Sequence, residues 1–229
     1  MIISLRDKTA LVGGSSGGIG KAIAQQLAKS GASVTLMSRS GDTLKNIVSE
    51  LPTDAGQRHQ YLVVDFSDFE AYKKIISDYF QHNSVDILIN NTQGPSAGNT
   101  LEKNIEDYQI AFDLLFKTVV FTTELALVQM QKKKWGRIIT VASVSVKEPL
   151  SYLALSNTLR AAVVTWAKSL ATDVGPFSIT VNSILTGYFD TERIVQLNAK
   201  KAKELGIPPD AVRSDMESKV PVKRIGDPK

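Results

Sequence analysis

The sequence predicts one α/β domain in which helices cover both faces of a doubly wound parallel sheet. Short β-branched runs alternate along the chain with longer segments of helical periodicity, as is typical of parallel strands joined by helical crossovers. The chain has 229 residues, of which 43% are apolar, so it is long enough for one buried core. No stretch resembles a linker. We therefore expect a single domain, residues 1–229, with three αβα layers.

The elements follow one another in a regular order. Six strands are predicted, at 9–13, 33–38, 60–65, 86–90, 137–143 and 179–185. Five helices are predicted between them, at about 18–29, 41–50, 67–80, 104–133 and 152–173. After Asp190 the chain becomes rich in charge and is broken by Pro208 and Pro209, which predicts one or two surface helices rather than another core layer.

Charge argues against a nucleic-acid partner. The net charge of +4 comes from scattered Lys and Arg, and the one compact cluster is 132–134, where a long helix should end. Cations stabilise a helix C-terminus, and no basic stripe with aromatic stacking residues is present. The sequence therefore predicts no nucleic-acid binding.

Composition also excludes several kinds of site and location. The chain has no cysteine, so disulfides, thiolate nucleophiles and cysteine-zinc sites are excluded. His59 and His82 are far apart and lack carboxylates at ligand spacing, so we expect no metal. The charges at 6–8 interrupt any signal-peptide core, and no charge-free apolar run approaches membrane-spanning length. We expect a soluble cytoplasmic protein without a membrane partner.

A glycine cluster lies between the first strand and the first helix. Gly14, Gly18 and Gly20 have G-x-x-x-G-x-G spacing. Glycines here allow a tight turn and leave the helix N-terminal amides free for an anionic pyrophosphate. A second strand ends about twenty residues further on, which is the context such a motif requires. We therefore predict a dinucleotide site.

The end of the second strand indicates which dinucleotide. An acidic residue there would accept hydrogen bonds from a ribose 2′-hydroxyl, but this chain has Ser38 and Arg39. A hydroxyl beside a guanidinium binds a 2′-phosphate through charge-assisted bonds, whereas a carboxylate repels it. NADP, as NADPH, is therefore favoured over NAD.

Together these motifs resemble the short-chain dehydrogenase/reductase family, and the likeness runs from about residue 5 to the end of the chain. The matching segments include VVDFSD, ILINNTQGP, GRIITVAS and VNSILTGYFDT. The resemblance implies a Rossmann fold and is nearest to the 3-oxoacyl carrier-protein reductases. The family usually continues past VPVKRIGDP into another helix and a last strand, so we expect that the sequence ending at Lys229 lacks these two elements.

The resemblance also implies functional residues. The expected cofactor-binding residues are Gly14, Ser16, Gly18, Ile19, Gly20, Ser38, Arg39, Asp65, Phe66, Asn91, Arg160 and Gly187. Asp65 would border the adenine, and Asn90 would take the family's structural asparagine position. Thr186 replaces a proline that precedes the retained Gly187 in the family.

The catalytic set departs from the family pattern. In the family, a serine orients the carbonyl, a tyrosine passes the proton, and a lysine binds the nicotinamide ribose and lowers the tyrosine pKa. Ser143 matches the serine, but the tyrosine and lysine positions hold Ser156 and Arg160. The family's asparagine on the long helix would fall near Leu115. Ser156 can hydrogen-bond a carbonyl, and Arg160 places a cation near the ribose but cannot act as an acid at neutral pH.

Tyr152 is the phenol nearest to these residues in sequence. It lies four residues before Ser156, on the same face if the helix already includes it. It is therefore a candidate proton donor, with a water held by Ser143 and Ser156 as the competing donor. The alternatives are that Tyr152 packs against the sheet as a helix-entry aromatic and that Arg160 is a surface arginine.

Two classes of function follow. The first is an NADP-dependent oxidoreductase acting on a small ketone/alcohol pair. The second is a non-catalytic NADP-binding protein, or an inactive partner subunit, with a degenerate active site. The helix at 104–133 carries more apolar residues than one sheet face requires, among them Ile110, Leu114, Val119, Leu125 and Val128. Relatives associate through this helix and the one at 152–173, so we expect a homodimer or homotetramer.

Overall fold

The protein forms a parallel six-stranded sheet between two layers of helices, and the computed structural model describes residues 3–228. The strand order is β3-β2-β1-β4-β5-β6. The strands are β1 (Thr9–Val12), β2 (Ser33–Ser38), β3 (Gln60–Val63), β4 (Ile87–Asn90), β5 (Gly136–Ser143) and β6 (Ile179–Thr186). The helices are α1 (Gly18–Lys29), α2 (Gly41–Glu50), α3 (Phe69–His82), α4 (Ile105–Phe112), α5 (Thr118–Lys133), α6 (Ala154–Val174), α7 (Glu192–Leu205) and α8 (Pro209–Ser218). The predicted doubly wound α/β class is confirmed.

The order of the strands reverses at the centre of the sheet. β1 pairs in parallel with β2 on one side and with β4 on the other, and the chain returns from the β3 edge to reach β4. The loops that follow β1 and β4 therefore leave the sheet in opposite directions and open a crevice at the carboxyl ends of the strands.

Helices cover the two faces of the sheet with two separate apolar cores. On one face, α1 and α2 bury Ala24, Ala28, Leu44 and Ile47 against the central strands. On the other face, α3, α5 and α6 form the larger core; it includes Tyr72, Ile76, Met130, Leu159 and Ala167. Because the central strands are buried on both sides, they are apolar almost throughout, as a parallel sheet requires. The cover is thinner at β6, where alternate residues are exposed.

The long helix predicted at 104–133 is interrupted. α4 and α5 are separated by one π-helical turn, Asp113–Lys117. The hydroxyl of Thr118, the first residue of α5, donates to the Leu114 carbonyl within this turn at 2.7 Å, so a side chain supplies a hydrogen bond where the backbone hydrogen-bond pattern of the helix changes. The periodicity of the sequence does not show this insertion, because apolar residues continue through it. α5 ends at the basic cluster, where Lys133 bonds the buried carboxylate of Asp86 at 2.8 Å.

The segment after β6 forms two packed surface helices, as predicted. Arg213 of α8 bonds both carboxylate oxygens of Asp190, at 2.8 and 3.1 Å, and so ties α8 to the chain that enters α7. The Asp190 amide donates to the Gly226 carbonyl at 2.8 Å, and the Gly226 amide donates to the Tyr188 carbonyl at 2.9 Å. These contacts hold α7 beside the crevice.

Candidate active site

A cleft of about 760 Å³ lies at the carboxyl ends of the strands. Its walls are the turn after β1, the end of β2, the loop after β4, the end of β5, the start of α6 and the chain from β6 into α7. Most of the predicted site residues line it, namely Gly14, Ser16, Gly18, Ile19, Gly20, Ser38, Arg39, Phe66, Asn91, Ser143, Ser156, Arg160 and Gly187. Asp65 and Tyr152 do not.

The turn between β1 and α1 depends on its glycines. Gly14 and Gly18 have φ angles of 55° and 52°, in the left-handed region that favours glycine. A Cβ at Gly20 would overlap the Gly14 carbonyl and lie 2.8 Å from Asn91 Nδ2. α1 begins without a side-chain cap, so its first amides remain available to a ligand at the cleft.

Neighbouring strands hold this turn in place. The buried Ser15 hydroxyl accepts from the Met37 amide of β2 at 2.9 Å. Asn91, directly after β4, donates from Nδ2 to the Gly13 carbonyl at 3.0 Å. Asn90 instead points to α5 and donates to Thr123 at 3.0 Å. The two asparagines thus fix the relative positions of the glycine turn, β4 and α5.

The end of β2 provides a basic corner of the cleft. Ser38 is buried and Arg39 is exposed, and both line the cleft. Asp65 lies behind this corner, where its carboxylate accepts from the Ser67 hydroxyl at 2.6 Å and from the Ser67 amide at 2.9 Å. These bonds, with a smaller contribution from Arg39, lower the pKa of Asp65, although desolvation partly opposes them. The adjacent Phe66 faces the cleft instead.

The other end of the cleft brings together Ser143, Ser156 and Arg160. Ser143 ends β5 and accepts from the Ser145 amide at 3.1 Å. Arg160 Nε donates to Ser156 Oγ at 3.2 Å, and its Nη1 donates to the Val141 carbonyl at 2.7 Å. Burial, and then repulsion from Arg193, lower the pKa of Arg160 to about 10. The guanidinium therefore stays protonated at neutral pH.

Tyr152 lies in a neighbouring cavity of about 360 Å³, among residues of α7 and α8. α6 begins at Ala154, two residues later than predicted, so Tyr152 precedes the helix and does not share a helical face with Ser156. Its carbonyl accepts from the Gly98 amide at 2.8 Å, which fixes this backbone away from the helical path. Burial, and then Tyr188, raise the pKa of Tyr152 to about 12.

A small cavity lies behind Arg160, between the sheet and the π-helical turn. It has a volume of about 10 Å³, close to the minimum that holds one water molecule, and Leu115 forms part of its wall. The Thr140 hydroxyl also faces it and is buried without a hydrogen-bond partner among the described residues. The space is polar on one side and closed by leucine on the other.

Sequence reasoning missed Arg193. It lies in the first turn of α7, lines the cleft, and donates from Nη2 to the Pro95 carbonyl of the loop after β4 at 2.8 Å. A signal was available, because a cation in the first turn of a helix opposes the helix dipole and therefore needs another reason. The pattern around it gave no indication of which loop it would reach.

No helix within residues 3–228 is long and apolar enough to span a bilayer. Within the same range, no group of three or more His, Cys, Asp or Glu side chains is arranged to hold a metal ion.

Comparison with known proteins gives a consistent result. The family model for short chain dehydrogenases matches residues 8–202. Oxidoreductase UcpA of Salmonella typhimurium is 32% identical over 231 residues, covering 98% of this chain and 84% of UcpA. The 3-oxoacyl-(acyl-carrier-protein) reductase FabG of Aquifex aeolicus is 25% identical over 229 residues, covering 100% of this chain and 88% of FabG.

A solved structure adds to this comparison. L-sorbose reductase of Gluconobacter frateurii, complexed with NADPH and L-sorbose, is 29% identical, with a TM-score of 0.89. The match covers 100% of this chain and 88% of that one.

Proposed function

The chain belongs to the short chain dehydrogenase family, as its motifs indicated, and from this premise we propose that it is an NADP-dependent oxidoreductase acting on a ketone/alcohol pair. The observation that carries the proposal is a single cleft lined by the glycine turn, by Arg39 and by the hydroxyls of Ser143 and Ser156. A hydroxyl pair beside a dinucleotide cradle is suited to orient a carbonyl for reduction.

The residues present fit a phosphorylated dinucleotide. The turn requires glycine at positions 14 and 20, because a Cβ at either would collide with Asn91 or with the turn's own backbone, and the uncapped amides of α1 favour a diphosphate. At the end of β2, Arg39 and Ser38 suit the 2′-phosphate of the same cofactor, because both can donate hydrogen bonds to it. L-sorbose reductase, a relative of 29% identity, is complexed with NADPH. When bound, the cofactor supplies or accepts a hydride.

The chain's own groups would orient the substrate and handle its proton. Ser143 and Ser156 each present a hydroxyl to the cleft, and Arg160 bonds Ser156 at 3.2 Å and so limits its rotation. A serine hydroxyl is a poor acid near neutral pH, so we propose that a water held by these hydroxyls carries the proton. The separate cavity and the raised pKa of Tyr152 support water over the phenol.

The second candidate function is a protein that binds NADP without turning it over, or an inactive subunit of a mixed oligomer. What favours it is the family resemblance, which implies a tyrosine and a lysine where this chain has Ser156 and Arg160, and an asparagine near Leu115. Following NADPH absorbance against a broad carbonyl panel, with NADPH affinity measured in parallel, separates the two. Turnover supports the enzyme, and tight binding without turnover supports the alternative.

Arg39→Ala should weaken NADPH binding at least tenfold and leave NADH binding little changed. A charged hydrogen bond of this kind contributes on the order of 1.5–3 kcal/mol, and only NADPH carries the 2′-phosphate. Titration of cofactor fluorescence measures both affinities. Arg58→Ala, which removes an exposed arginine outside the cleft, is the matched control. Equal losses for both cofactors would contradict the assignment of Arg39.

Tyr152→Phe should leave carbonyl reduction within about threefold of wild type, whereas Ser143→Ala should lower it at least about tenfold. The serine would hold both the substrate and the proton-carrying water, and removing one such hydrogen bond costs about 1–3 kcal/mol. Steady-state rates with saturating NADPH are the measurement, once a substrate is known. If Tyr152→Phe abolishes turnover, the phenol is the donor and the water is not.

We also propose a homodimer or homotetramer assembled through α4, α5 and α6. Leu114 and Val119 are buried, but Ile110 and Val128 are 61% and 50% exposed on α4 and α5. Light scattering at micromolar concentration should give a small multiple of the 24.9 kDa chain mass. Ile110→Glu with Val128→Glu should shift the protein toward the monomer. A monomeric wild type would contradict this interface.

A further inference from the structure

Two guanidinium groups approach the inner part of the cleft from different elements. Arg160 comes from α6 and bonds the Val141 carbonyl of β5, and Arg193 comes from the first turn of α7 and bonds the Pro95 carbonyl. Both arginines line the cleft. Arg193 is close enough to contribute to the lowered pKa of Arg160, although burial is the larger cause.

Neither guanidinium has an anionic partner in the part of the chain that the structure describes. Arg160 bonds the Ser156 hydroxyl and the Val141 carbonyl, and Arg193 bonds the Pro95 carbonyl. All three acceptors are neutral. A guanidinium has five N–H donors, so most of those on both arginines remain available. Arg160 is partly buried and Arg193 is exposed, and no carboxylate of residues 3–228 neutralises either charge, so the cleft presents two unpaired cations to a ligand.

The carboxylates near this end of the cleft are used elsewhere. Glu192 also lines the cleft, but it accepts from the Gln196 amide at 3.3 Å and forms no ion pair within residues 3–228. Asp190 pairs with Arg213 at 2.8 Å. The chain therefore places two cations at the reacting end of its cleft without neutralising them.

The position of Arg193 is not explained by the stability of its own helix. Its guanidinium lies against the backbone of Gly94, where a Cβ would come within 3.4 Å of Nη2. A cation in the first turn of α7 also opposes the helix dipole, so helix stability does not explain it.

We propose that the substrate carries a carboxylate and that Arg160 and Arg193 bind it at the inner end of the cleft, beside Ser143 and Ser156. The ligand class is an oxo acid or the corresponding hydroxy acid. Guanidinium and carboxylate bind through paired, charge-assisted hydrogen bonds, which also fix the orientation of the carbonyl. This inference rests on the proposed oxidoreductase function and names the substrate class of the same site.

The test compares acids with their neutral esters on the NADPH-loaded protein. Pyruvate, acetoacetate and levulinate place the carboxylate at increasing distances from the ketone, and each has a methyl ester of similar shape. Binding is measured by calorimetry or ligand-observed NMR, so turnover is not required. At least one acid should bind tenfold or more tightly than its ester. Arg193→Gln should remove this preference, and the control Arg58→Gln, which removes an exposed charge outside the cleft, should retain it.

The outcomes separate this inference from the function on which it rests. Failure of the protein to bind NADPH at all overturns the proposed function. If NADPH binds normally and every ester binds as tightly as its acid, only the carboxylate site is overturned. This comparison uses the wild-type protein alone. If Arg193→Gln lowers NADPH affinity as much as it lowers acid affinity, the arginine binds the cofactor diphosphate. That result also overturns the carboxylate site. Retained NADPH affinity with lost acid preference supports it.

Discussion

Gly20→Ala should weaken NADPH binding by roughly tenfold to hundredfold and destabilise the fold. The added Cβ would overlap the Gly14 carbonyl and crowd Asn91 Nδ2 at 2.8 Å, so α1 must move away from β1. Overpacking of this kind costs about 1–3 kcal/mol. Because the first amides of α1 would bind the cofactor, displacing them lowers its affinity, and every 1.4 kcal/mol is a tenfold change. For a chain of this size, each kcal/mol lowers Tm by roughly 2–4 °C.

Fluorescence titration with NADPH and thermal unfolding measure the two effects. Gly175→Ala is the matched control, because a Cβ there meets nothing within 4 Å and its φ of −51° suits any residue. Wild-type affinity and Tm in Gly20→Ala would show that the turn does not form the cradle.

Combining Ser156→Tyr with Arg160→Lys should raise carbonyl reductase activity by about 10² or more. The double variant places a phenol one helical turn from an ammonium, which can lower the pKa of the phenol toward neutrality. General acid catalysis by such a group contributes typically 10²–10⁴-fold. Both positions already line the cleft, and Ser156 is only partly buried, so space for the ring exists.

NADPH oxidation against the carbonyl panel is the measurement for this double variant, with NADPH affinity as the check that the cleft is intact. Ser156→Tyr alone should gain less, because Arg160 is anchored to the Val141 carbonyl at 2.7 Å and cannot follow the new hydroxyl. A double variant that binds NADPH normally yet remains inert on every carbonyl would favour the non-catalytic alternative.

The sequence was most informative about elements with a strong periodic pattern. β2 and the first helices α1 and α2 lie where the β-branched runs, glycines and apolar spacing placed them. β3 ends at Val63, two residues earlier than predicted, because the apolar run continues into the loop that leads to Phe66. The π-helical turn before α5 leaves no mark in the apolar pattern, because both types of helix bury leucine there.

The site was less predictable because side-chain position depends on loops. Tyr152 lies in a separate cavity, and its carbonyl accepts from the Gly98 amide, a contact between residues more than fifty positions apart. Arg193 reaches Pro95 across the cleft, and only the folded path of the chain brings these two together. The glycine turn was predictable, because the conformations it needs are local.

The most direct test of the account is transfer of deuterium from C4-deuterated NADPH to a ketone, detected by mass spectrometry of the alcohol. The protein should transfer deuterium from one face of the nicotinamide only, and Ser143→Ala should lower the yield at least about tenfold, since that hydroxyl would orient the carbonyl. Tight NADPH binding with no deuterium in any alcohol, across both oxo acids and neutral ketones, would contradict the assignment as an oxidoreductase.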